Sequence, residues 1–218
     1  ETHRRTDAWA TVLSFEPDDP REYGRVLRNG DGGLAAIVEA RDATPEQLAV
    51  REVNSSIYVF RAERLWPVLD RLRPQNEQGE LYLTDSVALL VEEGGKVAVH
   101  KGEDPTEAEG VNTRAELATA AAALRDRINE AHMLAGVTIV DPQTTWIDAE
   151  VTIDPDAVIH PFTVVRGASH IGAGAEIGPH AVAVDAVIGE RVSIGPFCYL
   201  RPGTVLDPDA KAGTFVEL

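Results

Sequence analysis

At 218 residues, 44% hydrophobic and 26% charged, the chain has the composition of one large globular domain or two ordinary ones, which excludes a disordered or fibrous protein. Twenty Lys and Arg stand against 36 Asp and Glu, a net charge of −16, so no basic surface dominates and nucleic acid is not an expected partner. A single cysteine, Cys198, rules out an internal disulfide and fits a reducing compartment, and no apolar run reaches the roughly 18 residues of a membrane span, so no membrane partner and a cytoplasmic location are expected.

In chain order, strands are expected over Ala10 to Phe15, Tyr23 to Arg28, Leu34 to Glu39, Val53 to Phe60 and Lys96 to His100. Asn29-Gly30 and Asp31-Gly32-Gly33 supply hairpin chemistry between the second and third. Thr44 and Pro45 read as the cap and first residue of a helix over Pro45 to Val50. A helical pattern over Ala62 to Leu72 contains Pro67 and is expected to start late or break there. Leu81 to Glu93 offers Leu81, Val87, Ala88 and Val91 for one helical face. These alternations predict a mixed α/β layer structure.

Thr113 with Glu116 has the form of a capping box, followed by Leu117, Ala121, Leu124, Ile128, Ala131 and Ala135 at spacings of four and three, and closed by Gly136. This predicts a helix that is either a stiff arm between two domains or an ordinary packed helix. Composition changes beyond it. From Val137 onward 82 residues hold 20 Ile or Val and only 3 Leu, whereas the first 136 hold 14 Leu, which places a boundary near Gly136. The expected division is 1–112, a helical linker over 113–135, and 136–218.

Every sixth residue from Ile147 gives Ile147, Ile153, Ile159, Val165, Ile171 and Ile177, and after a one-residue slip Ile188, Ile194, Leu200, Leu206, Ala212 and Leu218. Eleven of these twelve are large aliphatics, where chance would place about three. The fourth residue after each slot is small or β-branched, as at Ala157, Ser169 and Ala175. A large aliphatic every six residues suits a strand and a turn, and three such units close one triangular coil, so a left-handed parallel β-helix of four coils is expected, with Gly172, Gly178, Gly189, Gly195, Pro202 and Gly203 at its corners. Cys198 occupies a small interior slot and reads as a buried hydrophobe, not a nucleophile. His160, His170 and His180 fall at unrelated positions of an 18-residue coil, which argues against a metal site.

Several motifs together resemble a known family. Tyr23-Gly24-Arg25, Ile37-Val38-Glu39 with Asp42-Ala43-Thr44, Glu52-Val53-Asn54, Gly79-Glu80-Leu81-Tyr82-Leu83-Thr84-Asp85 and Glu109-Gly110-Val111-Asn112 occur in the order and spacing seen in the bacterial bifunctional N-acetylglucosamine-1-phosphate uridylyltransferase and glucosamine-1-phosphate acetyltransferase. The helix, Leu134-Ala135-Gly136-Val137, and the coils with Leu200-Arg201-Pro202-Gly203 and Phe215-Val216-Glu217 follow as in that family. The resemblance implies a partial Rossmann-like α/β nucleotidyltransferase joined by a helical arm to the β-helix.

It also implies the chemistry of UDP-N-acetylglucosamine synthesis. Acetyl-CoA acetylates glucosamine 1-phosphate, and the phosphate oxygen of the resulting N-acetylglucosamine 1-phosphate attacks the α-phosphorus of UTP while Mg²⁺ neutralises the phosphates, so that positioning and charge stabilisation carry catalysis. By the same resemblance Gly24, Glu39 and Asn54 would bind the N-acetylglucosamine moiety, Tyr82 and Thr84 would line the pocket, Asn112 would give its side-chain oxygen to Mg²⁺, and Arg201 would contact a phosphate. Taken singly, Glu39 or Asn54 is more often a solvated turn residue, Asn112 a helix-entry residue and Arg201 a solvent-facing corner.

The family's Gly-rich loop, lysine and Mg²⁺-binding aspartate are expected upstream of Glu1, and its acetyltransferase histidine with lysine, tyrosine and asparagine beyond Leu218, so no catalytic residue is assigned within the chain. Both ends are expected to fall inside domains, the isolated piece to lack both activities, and the β-helix to form a homotrimer. Two other readings are a single-activity sugar-nucleotide pyrophosphorylase with a hexapeptide tail and a non-catalytic trimerising scaffold.

Overall fold

The computed structural model describes residues 1–30 and 32–218; Asp31, part of the expected hairpin loop, lies outside the described residues. The chain divides into two compact units, Glu1–Val111 and Asn112–Leu218.

The first unit contains α1 (Thr2–Thr6), β1 (Ala10–Phe15), β2 (Arg25–Arg28), β3 (Leu34–Val38), α2 (Pro45–Leu48), β4 (Val53–Phe60), α3 (Ala62–Leu69), α4 (Leu83–Glu92) and β5 (Val97–Lys101). Its Rossmann-like mixed sheet has the order β3-β2-β4-β1-β5. β1 pairs with β5 in parallel and with β4 antiparallel, and β2 is antiparallel to both β3 and β4. Ala10 and Val12 of β1 share a face, where Val68 of α3 and Val87 and Leu90 of α4 bury completely against them and their neighbours. Each such side chain contributes about 1.5–3 kcal/mol by leaving water. The opposite face presents Ile57 and Val59 half exposed.

Two helices differ from expectation. α3 begins at Ala62 and runs through Pro67, because a proline at the sixth of eight positions deletes only the bond that its own N–H would make, and Val68 is fully buried beyond it. α4 starts at Leu83, which leaves Leu81 outside the helix and 62% exposed; Thr84, Ser86, Val87 and Leu90 form the buried face instead. The Thr44 cap expected for α2 is present, and Gln47, as its reciprocal partner, makes it a full capping box.

The second unit opens with α5 (Arg114–Leu134), whose Thr113 and Glu116 form the capping box, while Gly136 at φ 99° takes the left-handed C-terminal position. Only part of the apolar stripe read from the sequence packs, since Leu117 and Leu124 are more than half exposed. The covered face is at the C-terminal end, where Ile128 meets the β-helix core and the buried Asn129 Nδ2 donates to the carbonyl oxygens of Pro142 (2.9 Å) and Thr145 (3.0 Å). Asn129→Ala strands both carbonyls and is expected to cost about 2 kcal/mol, read as a lower denaturation midpoint with an unchanged slope.

Thirteen short strands follow: β6 (Thr138–Ile139), β7 (Trp146–Ile147), β8 (Thr152–Ile153), β9 (Val158–Ile159), β10 (Val164–Arg166), β11 (His170–Ile171), β12 (Glu176–Ile177), β13 (Val182–Val184), β14 (Val187–Ile188), β15 (Ser193–Ile194), β16 (Tyr199–Leu200), β17 (Val205–Leu206) and β18 (Lys211–Ala212). They form three parallel sheets, β16-β13-β10-β7, β17-β14-β11-β8 and β18-β15-β12-β9-β6, the walls of a left-handed β-helix of about four turns. The six-residue slots point inward, and Ile159, Val165, Ile171, Ile177, Ile188 and Leu200 are fully buried. Two slots escaped the sequence reading: Ile139, and Ala183, which fills the place of the apparent slip one residue short of the regular spacing to Ile188. Cys198 lies in the interior, with Sγ 2.8 Å from the Gly213 carbonyl oxygen.

The corner glycines play two roles. Gly203 adopts φ 88°, but Gly172, Gly178, Gly189 and Gly195 stay outside the left-handed region; a Cβ on any of them would fall 2.6–3.0 Å from backbone of the following coil. The left-handed corners are instead held in columns, Phe162, His180, Phe197 and Phe215 in one, Asp156, Gly174, Arg191 and Asp209 in another, Gly167, Asp185 and Gly203 in the third. In the aromatic column the rings stack nearly parallel at 4.7–5.1 Å. This continuous stacking offsets the cost of left-handed non-glycine residues.

Candidate functional site

In the first unit, four of the predicted residues converge from four elements. Gly24 precedes β2, Glu39 follows β3, Asn54 is the second residue of β4 and Thr84 lies in the first turn of α4. The Asn54 N–H donates to the Gly24 carbonyl oxygen at 2.8 Å, and Thr84 Oγ1 donates to Glu39 Oε1 at 3.1 Å. Gly24 lies so close to Glu39 that a Cβ there would stand 3.3 Å from Oε2 and 3.2 Å from Ile37 Cγ2.

A cavity of about 180 Å³ opens beside them, lined by Glu39, Asp42, Gln75, Asn76, Tyr82, Thr84 and Asp85 together with Ile37 and Val38. None of these residues is basic. Burial raises the Glu39 pKa, the Thr84 hydroxyl draws it back in part, and the charges of Asp42 and Asp85 push it up further. Asp85 is raised too, by burial and by Asp42. Tyr82 lines the cavity with its hydroxyl accepting from Gln78 Nε2 at 2.9 Å. Carboxylates, carboxamides and hydroxyls without a cation suit the neutral, hydroxyl-rich part of a ligand and offer an anionic group no counter-charge.

Around this group the sheet is braced by polar contacts. Glu52 accepts from Ser14 Oγ at 2.6 Å and from Arg28 Nε and Nη2 at 2.8 and 2.6 Å. The buried Arg25 is spent on carbonyl oxygens of Pro20, Arg21, Tyr23 and Leu48, which tie the loop before Gly24 to α2. One neighbour escaped sequence reasoning altogether: the Tyr58 hydroxyl accepts from Asn54 Nδ2 at 2.6 Å.

The other two predicted residues belong to the second unit. Asn112 is exposed; its N–H and that of Thr113 both donate to Glu116 Oε2 at 2.8 Å. The Glu116 carboxylate is thereby engaged at the helix start, and Asn112 offers a single neutral oxygen, a donor set that fits a Mg²⁺ already carried by phosphates rather than an all-protein cage. Arg201 pairs with Glu217 through Nε at 2.8 Å and Nη2 at 2.5 Å, so a phosphate would have to compete with that carboxylate. His160 bonds Glu176, His170 bonds Thr152 and His180 stacks between Phe162 and Phe197.

A protein named bifunctional protein GlmU from Mycobacterium bovis is 46% identical over 233 aligned residues, which take in all of the chain and 47% of that protein. Proteins of the same name from Mycolicibacterium vanbaalenii and Corynebacterium efficiens are 47% and 46% identical over 99% of the chain and cover 47% and 48% of their own length. The chain is a homologue of the bifunctional GlmU proteins. It spans about half the length of the GlmU relatives it matches. No protein-family model matches it. The similarity to GlmU runs through the mixed sheet, α5 and the β-helix alike, and both folds are those expected from the resemblance. Among the described residues no helix is long and apolar enough to cross a membrane.

Proposed function

We propose that the chain is part of an enzyme that makes UDP-N-acetylglucosamine, its first unit supplying the sugar pocket of the uridylyltransferase and its second the β-helix of the acetyltransferase. In this reading acetyl-CoA first acetylates glucosamine 1-phosphate. The phosphate oxygen of N-acetylglucosamine 1-phosphate then attacks the α-phosphorus of UTP and pyrophosphate leaves.

The observation that carries the reading is the convergence of Gly24, Glu39, Asn54 and Thr84 beside a cavity without a basic residue. The Glu39 carboxylate would accept from sugar hydroxyls, Asn54 and the backbone at Gly24 would hydrogen-bond the N-acetylglucosamine moiety, the missing side chain at Gly24 leaves room for the Glu39 carboxylate, and Tyr82 would close the wall. Asn112 would lend its Oδ1 to Mg²⁺, which supplies charge neutralisation to the phosphates. Arg201 would serve as a phosphate contact. The β-helix would associate as a homotrimer, for which Phe162, Phe197, Tyr199 and Phe215, each at least 40% exposed, supply apolar surface.

Calorimetric titration with N-acetylglucosamine 1-phosphate tests the sugar pocket. Glu39→Gln keeps the shape but removes the charged acceptor and is expected to weaken binding by about tenfold, since hydrogen bonds to a charged group are worth about 1.5–3 kcal/mol. Unchanged affinity in this variant would sink the assignment.

A further inference from the structure

Tyr58 touches one of the predicted sugar residues, and neither the resemblance nor the relatives' names give it a role. Four residues along a regular strand span about 13 Å, far beyond a hydrogen bond. Asn54 Nδ2 nevertheless lies 2.6 Å from the Tyr58 hydroxyl oxygen. The strand is not regular there. Ser14 and Val12 of β1 face Asn54 and Tyr58, so three residues of β4 bulge out opposite Leu13 alone, and Ser56 turns through φ 63°. The bulge is held by its own bonds: Ser55 Oγ donates to the Leu13 carbonyl oxygen at 2.8 Å and accepts from Ile57 N–H at 3.2 Å.

The same bulge fixes the Asn54 carboxamide at both ends. The Ser56 backbone N–H, 3.1 Å away, can only donate, so the atom facing it is Oδ1 and the atom facing Tyr58 is Nδ2. One N–H of Nδ2 is spent on Tyr58, which leaves the second directed elsewhere. The Tyr58 ring is pinned by stacking on Phe60 at 5.6 Å. Burial, and to a lesser degree the charge of Glu39, push the Tyr58 pKa up to about 12 against the opposing pull of the Asn54 bond, so the hydroxyl stays neutral across the working pH range.

We propose that Tyr58 is a positioning residue for the sugar pocket: it locks the Asn54 carboxamide so that its remaining N–H is presented to an acceptor oxygen of the bound N-acetylglucosamine moiety. The inference rests on the reading that Asn54 binds that moiety. Tyr58 takes part in no proton transfer; its contribution is to remove the rotational freedom that Asn54 would otherwise lose on binding.

Titrating N-acetylglucosamine 1-phosphate into wild type, Asn54→Ala, Tyr58→Phe and the double variant tests this. Tyr58→Phe keeps the ring on Phe60 and is expected to weaken binding about fivefold, Asn54→Ala about tenfold, and the double variant no more than Asn54→Ala alone. If Asn54→Ala weakens binding and Tyr58→Phe does not, or if the two losses multiply, the positioning role is overturned while the sugar pocket stands. If wild type does not bind, or Asn54→Ala binds like wild type, the pocket reading falls and the inference with it. A readout without ligand is independent of that reading: the Asn54 side-chain amide protons should exchange slowly in wild type and at least severalfold faster in Tyr58→Phe, and equal exchange in the two proteins would overturn the lock.

Discussion

Gly178→Ala is expected to destabilise the second unit by about 3 kcal/mol, the cost of forcing atoms into a packed interior that cannot shift without moving backbone. A Cβ on Gly178 would stand 2.6 Å from the Ile194 carbonyl oxygen and 2.8 Å from the Gly195 carbonyl carbon. Neither atom is the end of a flexible side chain; both belong to the coil below, whose strand β15 is bonded to β12 at that level. Thermal unfolding of Gly178→Ala should therefore fall about 10 °C below that of the unsubstituted protein in Tm. Equal melting would show that the coils separate easily and that the glycines are there for some other reason.

Arg28→Met is expected to cost the first unit about 2 kcal/mol at neutral pH. Glu52 is nearly buried, and burial alone would raise its pKa; the Arg28 and Ser14 bonds outweigh that and hold the carboxyl below its usual range. Removing Arg28 leaves a carboxylate with one neutral donor, a loss below that of a fully buried pair because the Arg28 side chain is 36% exposed. A group whose folded pKa is depressed stabilises the fold above its unfolded pKa, about 4.3, and that contribution disappears as pH falls through the lower folded value. The gap between wild type and Arg28→Met should accordingly be full at pH 7 and shrink below pH 4. A gap of the same size at pH 3 would mean that the arginine acts through packing of its stem and not through charge.

The β-helix could be read from the sequence because its interior repeats itself: a slot such as Ile171 is buried by Ile153 and Ile188, which obey the same rule one coil away. What the period could not show is where the rule bends. Ala183 is too small to register as a slot, and the left-handed corners carry Phe162, Phe197 and Arg191, residues whose single-residue preferences point away from that conformation and which stacking or ion pairing holds there. In the mixed sheet the strands were visible but their order was not, because the pairing of β1 with β5 joins residues more than 80 positions apart. The sugar residues were found through motif spacing. Tyr58 was not, because its contact with Asn54 depends on a bulge that local propensity does not encode.

The corner columns set how this half of the molecule can change length. Corresponding strands lie 18 residues apart from Ile147 to Val165 and from Val165 to Ala183, 17 from Ala183 to Leu200, and 20 from Ile139 to Ile159, yet every one of these residues is buried in the same interior. The missing residue and the two extra ones all fall in turns, and the longer turn is the one whose carbonyl oxygens Asn129 of α5 secures. Insertions and deletions at corners thus leave the phase of the walls untouched, whereas one placed inside a strand would turn a stretch of core residues out to solvent.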